Sequence, residues 1–124
     1  MVKYQGKKGG RKTYDFGLRL HELSDKDIDK CHTWITEKSK KKIYALQGKP
    51  HKKVTIYRGT RIGAGINEGD FITLDANVAK RFTTSTLGNK LNKEVSKKVV
   101  RANQIAPQLG AKGIYDLAYY KRRK

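Results

Sequence analysis

The sequence VTIYRG, at residues 54–59, contains the pattern on which the fold prediction depends. Branched and aromatic side chains pack well on a pleated surface, so valine, threonine, isoleucine and tyrosine favour strands. The run therefore predicts a β-strand that ends at Arg58. Gly59, together with Gly63 and Gly65, predicts a loop directly after this strand.

Two further apolar runs predict strands that each carry one polar group. Residues 71–74 (FITL) include the hydroxyl of Thr73, and residues 114–120 (IYDLAYY) include the carboxylate of Asp116. With Arg58, an arginine, a hydroxyl and a carboxylate follow one another on three strands. Such groups can hold a phosphate-bearing dinucleotide and stabilise a sugar cation. We treat them as candidates for one functional site.

Helix signals dominate the N-terminal half. Ser24 followed by Asp27 is typical of a helix start. The apolar positions within residues 28–46 then predict one amphipathic helix, ended by Gly48 and Pro50. A weaker alternation before this helix, at residues 14–20, indicates a strand.

The second half alternates short strands with one helix. Residues 77–82 predict a short helix that begins at Asp75 or Asn77, and residues 95–102 predict a strand. Residues 104–107 (QIAP) predict a turn or a short helix. The fold class is therefore α+β, with a helical N-terminal part followed by a split β-sheet half.

Length and composition predict one domain. A chain of 124 residues has room for one core, which we place at residues 13–120, between a flexible basic arm at 1–12 and a basic tail at 121–124. Apolar runs are too short to span a membrane, and the N-terminus lacks the apolar segment of a secretory signal. A single cysteine, Cys31, fits a reducing compartment. We expect the protein in the cytoplasm of a host cell or packaged in a virion.

The net charge of +18 is extreme for 124 residues. It is spread evenly, with 15 Lys/Arg against 6 Asp/Glu in residues 1–53 and 14 against 5 in residues 54–124. Such a field attracts polyanions. We therefore expect the phosphate backbone of DNA or RNA, or another polyanion, as a partner. The alternative is a heavily solvated surface adapted to a crowded polyanionic setting.

The ordered motifs of the second half resemble the ADP-ribosyltransferase superfamily, particularly its small phage-encoded and toxin-like members. In that family a strand ending in Tyr-Arg-Gly precedes a Phe-x-Ser/Thr segment, then a helix with alanine and phenylalanine, then a late acidic residue. The matching positions here are Tyr57-Arg58-Gly59, Phe71-Ile72-Thr73, Ala79, Phe82 and Asp116.

The resemblance implies a transferase that takes ADP-ribose from NAD. Asp116 would stabilise the developing sugar cation and hold the ribose hydroxyl, Arg58 would bind a phosphate, and Thr73 would fix the strand edge that faces the carboxylate. The cofactor-binding set that it implies is Tyr57, Arg58, Gly59, Thr73, Phe82 and Tyr119, with the aromatic side chains lining the nicotinamide pocket. A protein target of modification is a further expected partner.

Three features leave alternatives open. The late acid is Asp116 where glutamate is common, and Ile114 stands where arginine-modifying members carry Gln or Glu, which argues against an arginine acceptor. Residues 83–86 (TTST) are an alternative match for the hydroxyl segment. A non-catalytic member that retains the fold, acting as a basic nucleic-acid-binding or virion structural protein, is the second hypothesis. An effector that modifies a host nucleic-acid enzyme is the third.

The remaining reactive groups do not form recognisable sites. His21, Cys31, His32 and His51 lack zinc-site spacing, so we expect no metal centre. Gly63-Ala64-Gly65 lacks the third glycine of a dinucleotide-fold motif.

Overall fold

The computed structural model of the protein describes residues 13–32, 35–85, 87, 89 and 91–121. The expected basic arm at residues 1–12 and the last three residues of the expected tail lie outside this part. Lys121 is described, and its backbone N–H donates a 2.9 Å hydrogen bond to Glu68. The expected division into arm, domain and tail stays a prediction.

Residues 13–19 form an extended segment and not the strand that was expected at residues 14–20. A 3₁₀ turn, Leu20–Glu22, follows it. The backbone of the segment bonds to a side chain rather than to a strand ladder: the N–H of Tyr14 donates to Gln108 Oε1 (2.8 Å), and Gln108 Nε2 donates back to the Tyr14 carbonyl (2.7 Å). The weak alternation of side chains in this segment therefore reflects its packing against the rest of the protein and not pairing in a sheet.

The N-terminal helical part consists of two helices, not one. Helix α1, Asp25–Asp29, begins at Ser24, whose hydroxyl accepts from the N–H of Asp27, so the predicted start is confirmed. Helix α2, Glu37–Leu46, has its own cap at Thr36.

The expected single helix is interrupted where the chain bonds to another strand. The carbonyl of Lys30 accepts from Ile114 N–H (3.1 Å), and His32 N–H donates to the Ile114 carbonyl (2.8 Å). These bonds form a parallel bridge between Cys31 and Ile114. They satisfy backbone groups that a continuous helix would use internally.

A two-stranded ribbon forms the first sheet. Strand β1, Lys53–Arg61, pairs antiparallel with strand β3, Lys93–Arg101, in continuous register. Both predicted strands are confirmed, but β1 is longer than expected. Gly59 lies within the strand, opposite Val95, and not in a loop.

The second sheet has the order β2-β5-β4. It contains β2 (Phe71–Ile72), β5 (Gly113–Tyr119) and β4 (Ile105–Gly110), all antiparallel. The sequence analysis missed β4, because Pro107 favoured a turn. Proline is tolerated here because β4 lies at the edge of this sheet, where a missing N–H leaves no ladder bond unmade.

A single bridge joins the two sheets. Tyr57 N–H donates to the Thr73 carbonyl (2.8 Å), and Thr73 N–H donates to the Tyr57 carbonyl (2.9 Å). Beyond Tyr57 the ribbon and β2 diverge, and helix α3, Ala76–Arg81, packs beside the gap. Asp75 caps α3 by accepting from Asn77 N–H, which confirms the predicted helix. The architecture is therefore mixed α+β, with two small antiparallel sheets.

The core lies between the N-terminal helices and one face of the sheets. It is built from aliphatic side chains of both N-terminal helices and both sheets, including Leu20, Ile28, Ile43, Ile56, Ile105, Ile114 and Leu117. Each of these is at most 1% exposed. Burial of so many large apolar groups supplies the main stabilising term of a small domain.

Gly59 allows α3 to lie directly on β1. A Cβ added to Gly59 would stand 2.7 Å from the Phe82 Cβ and 2.8 Å from the Ala79 carbonyl oxygen. Both neighbours are close to the backbone and cannot rotate away. We expect Gly59→Ala to displace α3 and to lower the free energy of unfolding by about 1–3 kcal/mol.

Urea unfolding of Gly59→Ala, beside Gly63→Ala as a second glycine variant, checks this expectation. Gly63 has open space around it but a φ of +83°. Its alanine variant therefore measures the cost of backbone strain alone, without a steric clash. A Gly59→Ala variant as stable as the unmodified chain would show that α3 does not depend on this close approach.

Candidate active site

A cleft of about 470 Å³ opens where β1 and β2 diverge. One wall is α3, and the floor is formed by the middle of β1, by β2 and by the middle of β5. Of the candidate site residues, Tyr57, Arg58, Gly59, Thr73, Phe82 and Asp116 all line it, together with Phe71, Ile72, Val78, Ala79 and Lys93. The arginine, hydroxyl and carboxylate expected to share a cleft therefore do so.

Strand register places Tyr57, Thr73 and Asp116 in one row. Phe71 is opposite Ala118 and Ile72 is opposite Leu117 in the antiparallel pair β2–β5. Extending this register by one residue places Thr73 opposite Asp116. Because Thr73 also bridges to Tyr57, the row crosses three strands, and cross-strand neighbours present side chains on the same face.

An irregularity in β5 directs Asp116 toward the cleft. The β4–β5 register shifts between the pairs Gln108–Asp116 and Leu109–Ile114, which leaves an extra residue on β5. With strict alternation, Ile114 and Asp116 would share a face. The shift instead lets Ile114 and Leu117 both enter the core while Asp116 lines the cleft. Bulges often re-aim a side chain beside a functional site.

The Asp116 carboxylate is largely buried. Only 6% of the residue is exposed, and its Oδ1 accepts a 2.9 Å hydrogen bond from the N–H of Leu117. That bond fixes one oxygen relative to the strand. A carboxylate held in this way, in a partly dry cleft, interacts strongly with positive charge that develops nearby.

Arg58 is held at the split between the two sheets. Its Nη1 donates to the Phe71 carbonyl (2.8 Å), and its Nε lies 3.7 Å from Asp70 Oδ2. About a third of the side chain is exposed. A guanidinium has five N–H donors, and these two partners orient it without exhausting its donors. The position suits recognition of a ligand anion at the mouth of the cleft.

Thr73 begins a chain of hydrogen bonds that fixes α3. Its hydroxyl accepts from Asp75 N–H (3.1 Å), and Asp75 Oδ2 accepts from the Thr36 hydroxyl (2.8 Å). Burial alone would raise the pKa of Asp75. Hydrogen bonds from Thr36 and Asn77, with the charges of Lys38 and Lys42, outweigh it and hold that pKa below its usual value. The stabilising contribution of Asp75 is therefore present near neutral pH and is lost as acid protonates the carboxylate.

The aromatic residues divide between cleft and core. Phe82, at the end of α3, is 45% exposed and lines the cleft, and Tyr57 lies under the ammonium of Lys42, whose Nζ is 5.8 Å from the ring centroid. Tyr119 does not line the cleft, so the structure gives no support to its expected contact with nicotinamide. It is 3% exposed and packs in the core, and burial, with a smaller effect of Glu68, raises the pKa of its phenol. It lies three residues from Asp116 on a strand, which places it on the opposite face.

The alternative hydroxyl segment lies beside a different cavity. Thr83 is buried, and its hydroxyl donates to the Lys80 carbonyl (2.7 Å) at the end of α3. Thr83 and Thr84 line a second cavity rather than the cleft. Thr86 is outside the described residues. The geometry therefore favours Thr73 as the hydroxyl beside Asp116.

Lys93 is a cleft residue that the sequence analysis missed. It begins β3, opposite Arg61, and lines both the cleft and the second cavity. Among 29 basic residues nothing in the sequence marks it. Only the pairing of β3 with β1, which are separated by residues 62–92, brings it to the site.

The remaining reactive groups do not assemble into a second site. Burial raises the pKa of the Cys31 thiol, despite the opposing charge of Lys40, and a protonated thiol is a poor nucleophile. Over the described ranges no three His, Cys, Asp or Glu side chains are placed to hold a metal ion. No helix in these ranges has both the length and the apolar character to cross a membrane.

Comparisons of the chain with protein-family models, with curated proteins and with solved structures find no match. The function is therefore inferred from the geometry of the cleft itself.

Proposed function

We propose that the protein is a mono-ADP-ribosyltransferase that takes ADP-ribose from NAD, as its resemblance to the small phage-encoded and toxin-like members of that superfamily implies. One observation carries the proposal. Arg58, Thr73 and Asp116, which lie on three different strand segments, line one cleft together with three exposed or half-buried aromatic rings.

The residues of the cleft fit the chemistry of NAD. A volume of about 470 Å³ is within the range of small-ligand sites. Phe71 and Phe82 offer apolar surface for a planar ring, while Arg58 and Lys93 offer cations for the pyrophosphate. Gly59 keeps the wall of the cleft free of a side chain.

In this proposal Asp116 acts on the sugar. NAD supplies an activated bond between ribose and nicotinamide, and the electron pair of that bond leaves with the nicotinamide nitrogen. The carboxylate of Asp116 stabilises the positive charge left on the ribose until the acceptor forms the new bond and releases its proton. Thr73, opposite Asp116, is a positioning residue, because its hydroxyl fixes the β2–α3 turn.

Two features of the chain bear on the identity of the acceptor. Ile114, two residues before Asp116, is fully buried in the core, so it offers no side chain to an acceptor. This supports the view that the acceptor is not an arginine. The charge of +18 favours a target associated with nucleic acid, in the host cytoplasm or in a virion.

A second candidate function keeps the fold without the transfer reaction. Arg58 already contacts the Phe71 carbonyl and lies near Asp70, so its role can also be structural. In that case the protein is a basic nucleic-acid-binding or virion structural protein. NAD binding separates the two functions.

Substitution of Arg58 tests NAD binding directly. We expect NAD to raise the melting temperature of the unmodified chain, and Arg58→Gln to weaken NAD binding by about 10- to 100-fold, the loss typical of a charge-assisted hydrogen bond. Isothermal titration with NAD measures the affinity. Arg61→Gln removes the same charge from the same strand, outside the residues that line the cleft, and should bind NAD normally.

Equal weakening in both variants would indicate a general charge effect rather than a site. Absence of any NAD-dependent stabilisation in the unmodified chain would favour the second candidate function, since a ligand that binds only the folded state must raise its stability.

A further inference from the structure

A second cavity, of about 710 Å³, lies on the other side of α3 from the cleft and shares Lys93 with it. We call it the basic groove. One side is the C-terminal half of α3 and the other is the start of β3. Its lining residues are Asn77, Lys80, Arg81, Thr83, Thr84, Lys93, Glu94 and Val95.

The groove is built on a fixed backbone. The Lys80 carbonyl accepts from both the N–H of Thr83 (3.0 Å) and its hydroxyl (2.7 Å), which locks the end of α3. The Thr83 carbonyl accepts from Leu91 N–H (2.9 Å), which ties the segment before β3 back to α3. The cationic side chains of the basic groove therefore project from α3 and β3, and these hydrogen bonds fix the position of one element relative to the other.

Its charge is strongly positive. Lys80, Arg81 and Lys93 contribute three cations, against one carboxylate, Glu94. That carboxylate accepts a 2.8 Å hydrogen bond from Gly63 N–H, which holds it toward the β1 turn. Lys80 and Arg81 are exposed, and no ion pair involving either of them is seen across the described part of the chain.

We propose that the basic groove binds the phosphodiester backbone of nucleic acid. Cations spaced along a groove, with amide and hydroxyl groups between them, match a chain of phosphates rather than a single anion. The net charge of +18 supplies the long-range attraction. This inference does not depend on NAD: Lys93 belongs to both cavities, whereas Lys80 and Arg81 belong to the groove alone.

The test uses the full chain and a fluorescently labelled single-stranded oligonucleotide, titrated at several salt concentrations. The double substitution Lys80→Gln with Arg81→Gln should weaken binding about 10-fold at low salt, and should lower the slope of log K against log salt by about 1.4, since each phosphate contact on a single strand contributes about 0.7. The control double substitution, Lys49→Gln with Lys112→Gln, removes equal charge at exposed turns away from both cavities.

Three results overturn the proposal: equal loss in the two double variants, no binding by the unmodified chain at low salt, or equally tight binding of polyglutamate with the same groove dependence. A swap of Lys80→Arg with Arg81→Lys keeps the charge and should keep binding. Melting temperatures establish that each variant is folded. Unchanged NAD affinity in the groove variant distinguishes this site from the cleft.

Discussion

Asp15→Asn is expected to lower the free energy of unfolding by about 3–5 kcal/mol, because it removes the partner of a buried charge. The guanidinium of Arg19 is 0% exposed and the carboxylate of Asp15 is 3% exposed. They form two parallel hydrogen bonds, of 2.6 and 2.9 Å. Arg19 also donates to the carbonyls of Asn103 (3.0 Å) and Leu18 (3.1 Å). Asparagine keeps the shape but leaves the cation without its counter-charge inside the protein.

Urea unfolding of Asp15→Asn at neutral pH measures the change. The matched control is Glu37→Gln, which removes the same charge from a carboxylate that is 87% exposed and 3.8 Å from Lys40. Such surface pairs contribute about 0–1 kcal/mol. A loss for Asp15→Asn no greater than that of the control would show that the extended N-terminal segment is not anchored by this pair.

Much of the fold follows from local sequence. The β-branched run at residues 54–57 formed a strand, and Asp75 capped the helix that follows β2, because these signals depend only on neighbouring residues. Asp116, the carboxylate of the cleft, could also be identified from the sequence because it interrupts an otherwise apolar run. Local signals are reliable where tertiary packing agrees with them.

The errors arose where distant contacts outweighed local preference. The stripe at residues 28–46 predicted one helix, yet the bridge of Cys31 to Ile114 divides it. Pro107 predicted a turn, yet an edge position accommodates it within β4. The first outcome depends on a residue far away in the sequence, and the second on the order of strands in the finished sheet; a local pattern contains no information on either.

The candidate site shows the same contrast between what local sequence predicts and what distant contacts decide. The motifs identified Arg58, Thr73 and Asp116. Tyr119 was assigned to the same set by its residue type, although alternation along β5 places it on the face opposite Asp116, where it is buried. The shift in β5 register and the approach of Lys93 both depend on pairing between strands. Residue types were therefore predictable, and their final orientation was not.

The substitution Asp116→Asn is expected to reduce ADP-ribose transfer by a factor on the order of 100 or more, the usual cost of removing an electrostatic stabiliser of the transition state. Asparagine is nearly isosteric and retains an oxygen that can accept from Leu117 N–H, as Oδ1 does now. NAD affinity and melting temperature should therefore change little. Incubation with labelled NAD and a cell lysate, followed by detection of modified acceptor, measures transfer.

Two further variants test whether transfer requires the negative charge at position 116 itself. Asp116→Glu keeps the carboxylate and extends it by one methylene into a cleft of about 470 Å³, so it should retain transfer. Glu37→Gln lowers the acidic charge equally at an exposed site and should transfer normally. If Asp116→Asn instead lowers stability by about 3 kcal/mol or more, the carboxylate is a buried structural partner. Transfer unchanged by Asp116→Asn, or absent from the unmodified chain with every acceptor in the lysate, would count against catalysis, because the proposed chemistry requires a negative charge beside the sugar at this position.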